Sequence, residues 1–96
     1  LEPDTLYQLD TGAGTLNRLR ALPAWFDASP FVVDQFEAAS SDGVKIPYFV
    51  VRRRDLPMTG ETPTLLYAYG GFQVSYPPFY SGTTGRLWLE QGGAYV

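Results

Sequence analysis

Leu65-Leu66-Tyr67-Ala68-Tyr69-Gly70-Gly71-Phe72 is the stretch on which the fold turns. From Thr64 to Tyr69 the residues are almost wholly apolar and do not alternate, the pattern of a strand buried on both faces. The run stops at Gly70-Gly71, where the chain must turn. Immediately upstream, Arg54 to Pro63 holds Pro57, Gly60, Pro63 and several polar residues, which reads as an exposed crossover loop. Before that loop the pattern is a hairpin. Phe31 to Ala39 is one strand, Ser40-Ser41-Asp42-Gly43 supplies the turn, and Val44 to Arg53 returns. Asp-Gly tolerates positive backbone dihedrals, so the reversal has a local cause. In the return strand Val44, Ile46, Tyr48 and Val50 share one face and Lys45, Pro47, Phe49 and Val51 the other. Pro47 has no N–H to give a ladder, which puts this strand near a sheet edge or at a bulge.

Downstream of Phe72, an aromatic segment carries Pro77-Pro78, which forbids a helix there. A helix can begin at Ser81 or Thr84, both suitable N-caps, and run through Arg86 to Gln91 with Gly92 as its stop. Gly93-Ala94-Tyr95-Val96 opens another buried strand, which needs several more residues to form its ladder, so the native polypeptide is expected to continue. At the other end, Thr5 to Leu9 is a short strand, Asp10 to Gly14 a turn, and Thr15 to Leu22 its sequel. Gly12 and Gly14 form a GxG, but Asn17 breaks the dinucleotide fingerprint, so a plain turn is the reading. Pro23 then interrupts the chain, and Trp25 and Phe26 follow in a linker whose aromatics are expected to pack on something larger.

Composition narrows the chemistry. With 45% hydrophobic and 18% charged residues the 96-residue chain is globular in type rather than disordered. A net charge of −3 offers no general attraction to phosphates, so no nucleic-acid partner is expected. The basic run Arg52-Arg53-Arg54 reads as a solvated strand end. No apolar stretch approaches the roughly 20 residues that span a bilayer, so no membrane segment is expected. No leader peptide is legible, and the compartment stays open, with the cytoplasm favoured over the periplasm. Cysteine is absent, which excludes disulfides and thiolate catalysis, and histidine is absent too. A serine–histidine–aspartate relay therefore cannot be assembled from these residues, nor can a His- or Cys-based zinc site.

On spacing alone, a glycine pair after a strand is most often an ordinary turn. It is also the geometry with which α/β-hydrolases bring hydrogen-bond donors up to a substrate carbonyl after the third strand. The residues add what spacing cannot. Tyr67-Ala68-Tyr69-Gly70-Gly71-Phe72 resembles the Tyr-Gly-Tyr-Gly-Gly-Phe motif of the prolyl oligopeptidase family, with Ala68 where the family usually has glycine. Ser41-Asp42-Gly43-Val44-Lys45-Ile46-Pro47 is similar to that family's Asp-Gly-x-x-Ile-Pro hairpin, and Leu87 to Val96 resembles its helix and Gly-Gly before the next strand.

The resemblance implies an α/β fold: residues 31–96 as the N-terminal portion of an α/β-hydrolase peptidase domain, and residues 1–30 as the end of a β-propeller with its linker. It implies a serine peptidase that cuts short peptides after proline without metal or cofactor. Tyr69 would donate its hydroxyl to the oxyanion, and Phe72 would line the pocket for the residue preceding the scissile bond. The family's Gly-x-Ser-x-Gly elbow is absent from these residues, so Ser75 and Ser81 are not nucleophiles and the piece alone is expected to be inactive. Two alternatives stay open: an oligopeptidase preferring basic residues, and a non-catalytic β-rich binding module displaying Tyr76, Phe79 and Tyr80. Unpaired strand edges and uncovered apolar surface lead to the further expectation that the chain self-associates.

Overall fold

Asp42-Gly43 closes the longer of two hairpins in the computed structural model, which describes residues 1–96. Gly43 takes φ 85°, its N–H donates to the Ser40 carbonyl, and the Val44 N–H donates to Asp42 Oδ1 at 3.1 Å. The first hairpin pairs β1 (Thr5–Asp10) with β2 (Thr15–Ala21). The second pairs β3 (Phe31–Ala39) with β4 (Lys45–Arg53), in register from Phe31 opposite Arg53 to Ala39 opposite Lys45. Opposed residues share a face, so Phe31 and Val51 lie on one side while Asp34, Val50, Phe36 and Tyr48 lie on the other. Phe36 and Tyr48 pair their rings at 5.7 Å.

Pro47 sits opposite Glu37 without breaking a ladder bond. The flanking bonds, Ser40 N–H to Val44 C=O and Arg54 N–H to Pro30 C=O, fix the alternation so that the Pro47 nitrogen points away from β3. On that outer side β4 meets its next neighbour only at Val51, so the strand is interior at one end and a free edge at the other.

The rest of the sheet is a strand–helix–strand crossover. β5 (Thr64–Leu65) runs parallel to β6 (Ala94–Tyr95), giving the order β3-β4-β6-β5. Between them α1 (Gly82–Thr84) passes into a π-helical segment over Gly85–Leu89. Ser81 is the N-cap, its Oγ accepting from the Thr84 N–H at 3.2 Å, and Gly92 at φ 91° ends the helical path. Trp88 then reaches forward and donates its indole N–H to the Ala94 carbonyl at 2.7 Å, its ring lying where a side chain on Gly93 would be.

The core is small. Phe26, Phe31, Val51 and Leu89 form its cluster, with Leu1, Tyr80 and Tyr95 packed against it. The expected run Thr64 to Tyr69 is corrected here. Only Thr64–Leu65 form strand, backbone bonding carries on as far as the Tyr67 N–H to the Val96 carbonyl, and Leu66 is 75% exposed. Within residues 1–96 β5 has a neighbour only on its β6 side, and Leu65 and Leu66 stay 41% and 75% exposed, so the pattern of a doubly buried strand is present without the burial. The Arg52 reading also changes. Its guanidinium lies 2.9 Å from Asp34 and donates to the carbonyls of Arg53 and Arg54, holding the start of the crossover loop instead of standing in solvent.

Candidate functional site

Tyr69 stands just past β5, where the chain leaves the sheet and turns through Gly70-Gly71. Its ring folds back over Gly71: a Cβ there would lie 2.9 Å from the Tyr69 hydroxyl, so glycine is what lets the phenol occupy this place. The turn continues through Phe72 at φ 55° and Gln73 at φ 54°, two successive non-glycine residues in the left-handed region. That conformation is uncommon for side chains of this size and costs on the order of 1 kcal/mol or more at each position.

After the turn the chain returns along the same side, and Tyr76 packs against both tyrosines of the strand end. Its ring centroid is 5.4 Å from that of Tyr67, edge on, and 6.2 Å from that of Tyr69. The Tyr76 hydroxyl, by hydrogen bonding and then by its charge, raises the Tyr67 phenol above its ordinary pKa. All three tyrosines border an open apolar groove of about 700 Å³, whose lining also includes Phe49, Pro78 and Tyr95. Tyr69 is half exposed on this groove. Phe72 is not part of its lining and is 93% exposed, projecting into solvent from the crest of the turn.

The arrangement offers phenol donors and flat aromatic faces, and no base. No three His, Cys, Asp or Glu side chains converge to hold a metal ion. Chemically the site can present a hydrogen bond to developing negative charge and stack against an apolar ring, while a nucleophile and a proton acceptor have to come from elsewhere.

Tyr80 is the residue the sequence reading misplaces. Grouped there with Tyr76 and Phe79 as a contact surface, it is instead half-buried. Its hydroxyl accepts the backbone N–H groups of Trp25 at 2.7 Å and Phe26 at 3.0 Å and donates to the Phe26 carbonyl at 3.2 Å. Of the two linker aromatics, Phe26 is buried as expected, whereas Trp25 is 67% exposed.

The molecule is thus of the α/β class, a small sheet-rich unit with one helical segment and a tyrosine-bearing turn at a strand end. No family model matches the chain. It is 50% identical over 96 residues to an uncharacterised peptidase of Sinorhizobium fredii, covering 100% of this chain and 13% of that protein. It is 33% identical over 96 residues to a prolyl endopeptidase of Elizabethkingia meningoseptica, covering 100% of this chain and 14% of that protein. Among solved structures, a post-proline cleaving enzyme from Rickettsia typhi superposes with a TM-score of 0.81 at 41% identity, covering 97% of this chain and 13% of that one. The chain belongs to the prolyl oligopeptidase family of peptidases. It spans 13% to 14% of the length of these relatives.

Proposed function

We propose that these residues form the propeller-to-hydrolase junction of a serine oligopeptidase that cleaves short peptides after proline. Residues 1–30 are then the end of the propeller and its linker, and residues 31–96 the first part of the α/β-hydrolase domain. The observation that carries the reading is the Tyr67–Phe72 motif placed where the chain leaves β5, within a match to proline-cleaving relatives along the whole chain.

In this reading a serine outside residues 1–96 attacks the scissile carbonyl and an imidazole, also outside, takes its proton. Negative charge gathers on the carbonyl oxygen as the tetrahedral intermediate forms, and the Tyr69 O–H donates to it. Because the bond strengthens as charge develops, it lowers the barrier more than it strengthens substrate binding, by about 3 kcal/mol. Phe72 supplies the flat face against which the substrate's proline ring stacks. An aromatic held almost wholly in solvent on a left-handed backbone gains nothing from packing in the free chain, which favours a role in binding.

Tyr69→Phe in the complete translation product of the gene that encodes residues 1–96 tests this. Turnover of a peptide with proline before the cleaved bond is expected to fall about 100-fold with KM little changed. A fall smaller than about tenfold removes Tyr69 from the oxyanion role. A second copy of the chain is the partner we propose for the 96 residues in isolation, added along the unpaired edge of β5 and the exposed Leu66.

A further inference from the structure

We infer that Tyr80 is a positioning residue: its hydroxyl latches the linker to the far end of the loop that begins at Tyr69, so that linker and site loop move as one piece. The loop from Gly70 to Tyr80 has two ends. One leaves the sheet at Tyr69, and the other is Tyr80, whose phenol grips the linker by three hydrogen bonds to main-chain groups of Trp25 and Phe26. The ring that carries this hydroxyl also stacks on Phe26, with centroids 4.9 Å apart and planes 19° from parallel.

The helical segment completes the latch from the other side. A side chain on Gly85 would overlap the Phe26 ring, and one on Gly82 would crowd Trp25. Glycines one helical turn apart thus leave a notch into which the two linker aromatics fit, and the π-helical widening begins at Gly85, where Phe26 enters. Beyond the latch, towards the N-terminus, β1 and β2 pair only with each other. Their hairpin is tied to the larger sheet through Leu1, packed at the core cluster, and through this linker.

Two groups of bonds therefore hold the segment from Tyr69 through Tyr76 to Tyr80: the strand ladder at one end and the Tyr80 phenol at the other. Removing the phenol frees the far end while leaving the ring stack. The catalytic consequence rests on the oxyanion reading of Tyr69; the latch itself does not.

The test has two readouts. In the complete translation product, Tyr80→Phe is expected to speed amide hydrogen exchange at Trp25 and Phe26 by about tenfold, the size of one lost hydrogen bond, with the β4 amides unchanged. Gly85→Ala, which displaces the Phe26 ring from its stack on Tyr80 while leaving the Tyr80 hydroxyl in place, is expected to expose the same two amides. Unchanged exchange at Trp25 and Phe26 in both variants overturns the latch. In the complete translation product, Tyr80→Phe is expected to lower kcat with KM little changed, and to have no further effect once Tyr69 is already Phe. Equal losses with and without Tyr69→Phe overturn action through Tyr69, whatever the exchange result. If Tyr69→Phe alone leaves turnover intact, the oxyanion reading fails, and the amide exchange still decides the latch.

Discussion

Phe26→Ala is the perturbation whose outcome the structure fixes most sharply. Phe26 is 6% exposed and belongs to a cluster of four buried residues. It stacks on Tyr80, meets Phe31 edge on at 5.8 Å, and fills the space left by Gly85. Truncating such a ring loses both its transfer free energy and the contacts around the cavity, about 3 to 5 kcal/mol. Native domains are stable by about 5 to 15 kcal/mol in total, and six buried hydrophobic residues place these 96 residues at or below the lower end. Each kcal/mol shifts the melting midpoint of a domain this size by about 4 to 8 °C, so a drop of at least about 12 °C is expected, with unfolding near room temperature within reach. Trp25→Ala, one residue earlier at a site that is 67% exposed, is expected to cost below about 1 kcal/mol. Circular dichroism melts of both variants and the parent at several concentrations make the comparison, since self-association moves the midpoint. A Phe26→Ala midpoint within about 4 °C of the parent, or equal losses for the two variants, refutes the placement of the core.

Other expectations are as direct. The Asp42 carboxylate accepts the Val44 N–H at the hairpin turn, with help from Ser40, which holds its pKa below the ordinary 3.8. Its stabilising contribution is therefore complete above that value and lost as pH falls through the folded one; a carbon-detected titration midpoint at or above 3.8 contradicts the turn geometry. Tyr67 is displaced in the opposite sense, its phenol raised above 10.0 by Tyr76, so its contribution is present below that pH and fades as the solution becomes more alkaline. Ultraviolet titration should show the Tyr67 phenol ionising at lower pH in Tyr76→Phe than in the parent, and no difference between the two proteins would dissolve the pair. Light scattering is expected to find the 96-residue chain oligomeric and Leu66→Lys less so, a charge on an exposed edge being a standard barrier to strand addition. A monodisperse parent monomer ends that proposal.

Particular residues show how far the sequence could be read. The β3–β4 hairpin was legible because its cause is local: Asp42-Gly43 supplies the turn, and alternation sets the faces. The helix start, read as Ser81 or Thr84 and found at Ser81, and its stop at Gly92 were legible for the same reason, each a property of one residue's side chain or lack of one. The candidate site was partly legible. Tyr69 borders the groove as a residue at the end of an apolar strand can, whereas the solvent position of Phe72 depends on positive dihedrals at Phe72 and Gln73 that neither residue type favours. Arg52 looked like one of three equivalent basic residues, and the Asp34 carboxylate across the hairpin and the carbonyls of Arg53 and Arg54 distinguish it.

Sequence alone determined the order of the elements, the hairpin turns and the faces of the long hairpin, because hydrogen bonding and sterics within a few residues decide those. Tertiary structure alone decided which apolar runs are covered and which polar groups hold distant chain together. Within residues 1–96 Leu66 is exposed because β5 pairs only with β6. Tyr80 is a clamp because folding brings its hydroxyl to a backbone 54 residues away. Burial and long-range hydrogen bonds are properties of the neighbour as much as of the residue, and the neighbour is chosen only when the chain packs.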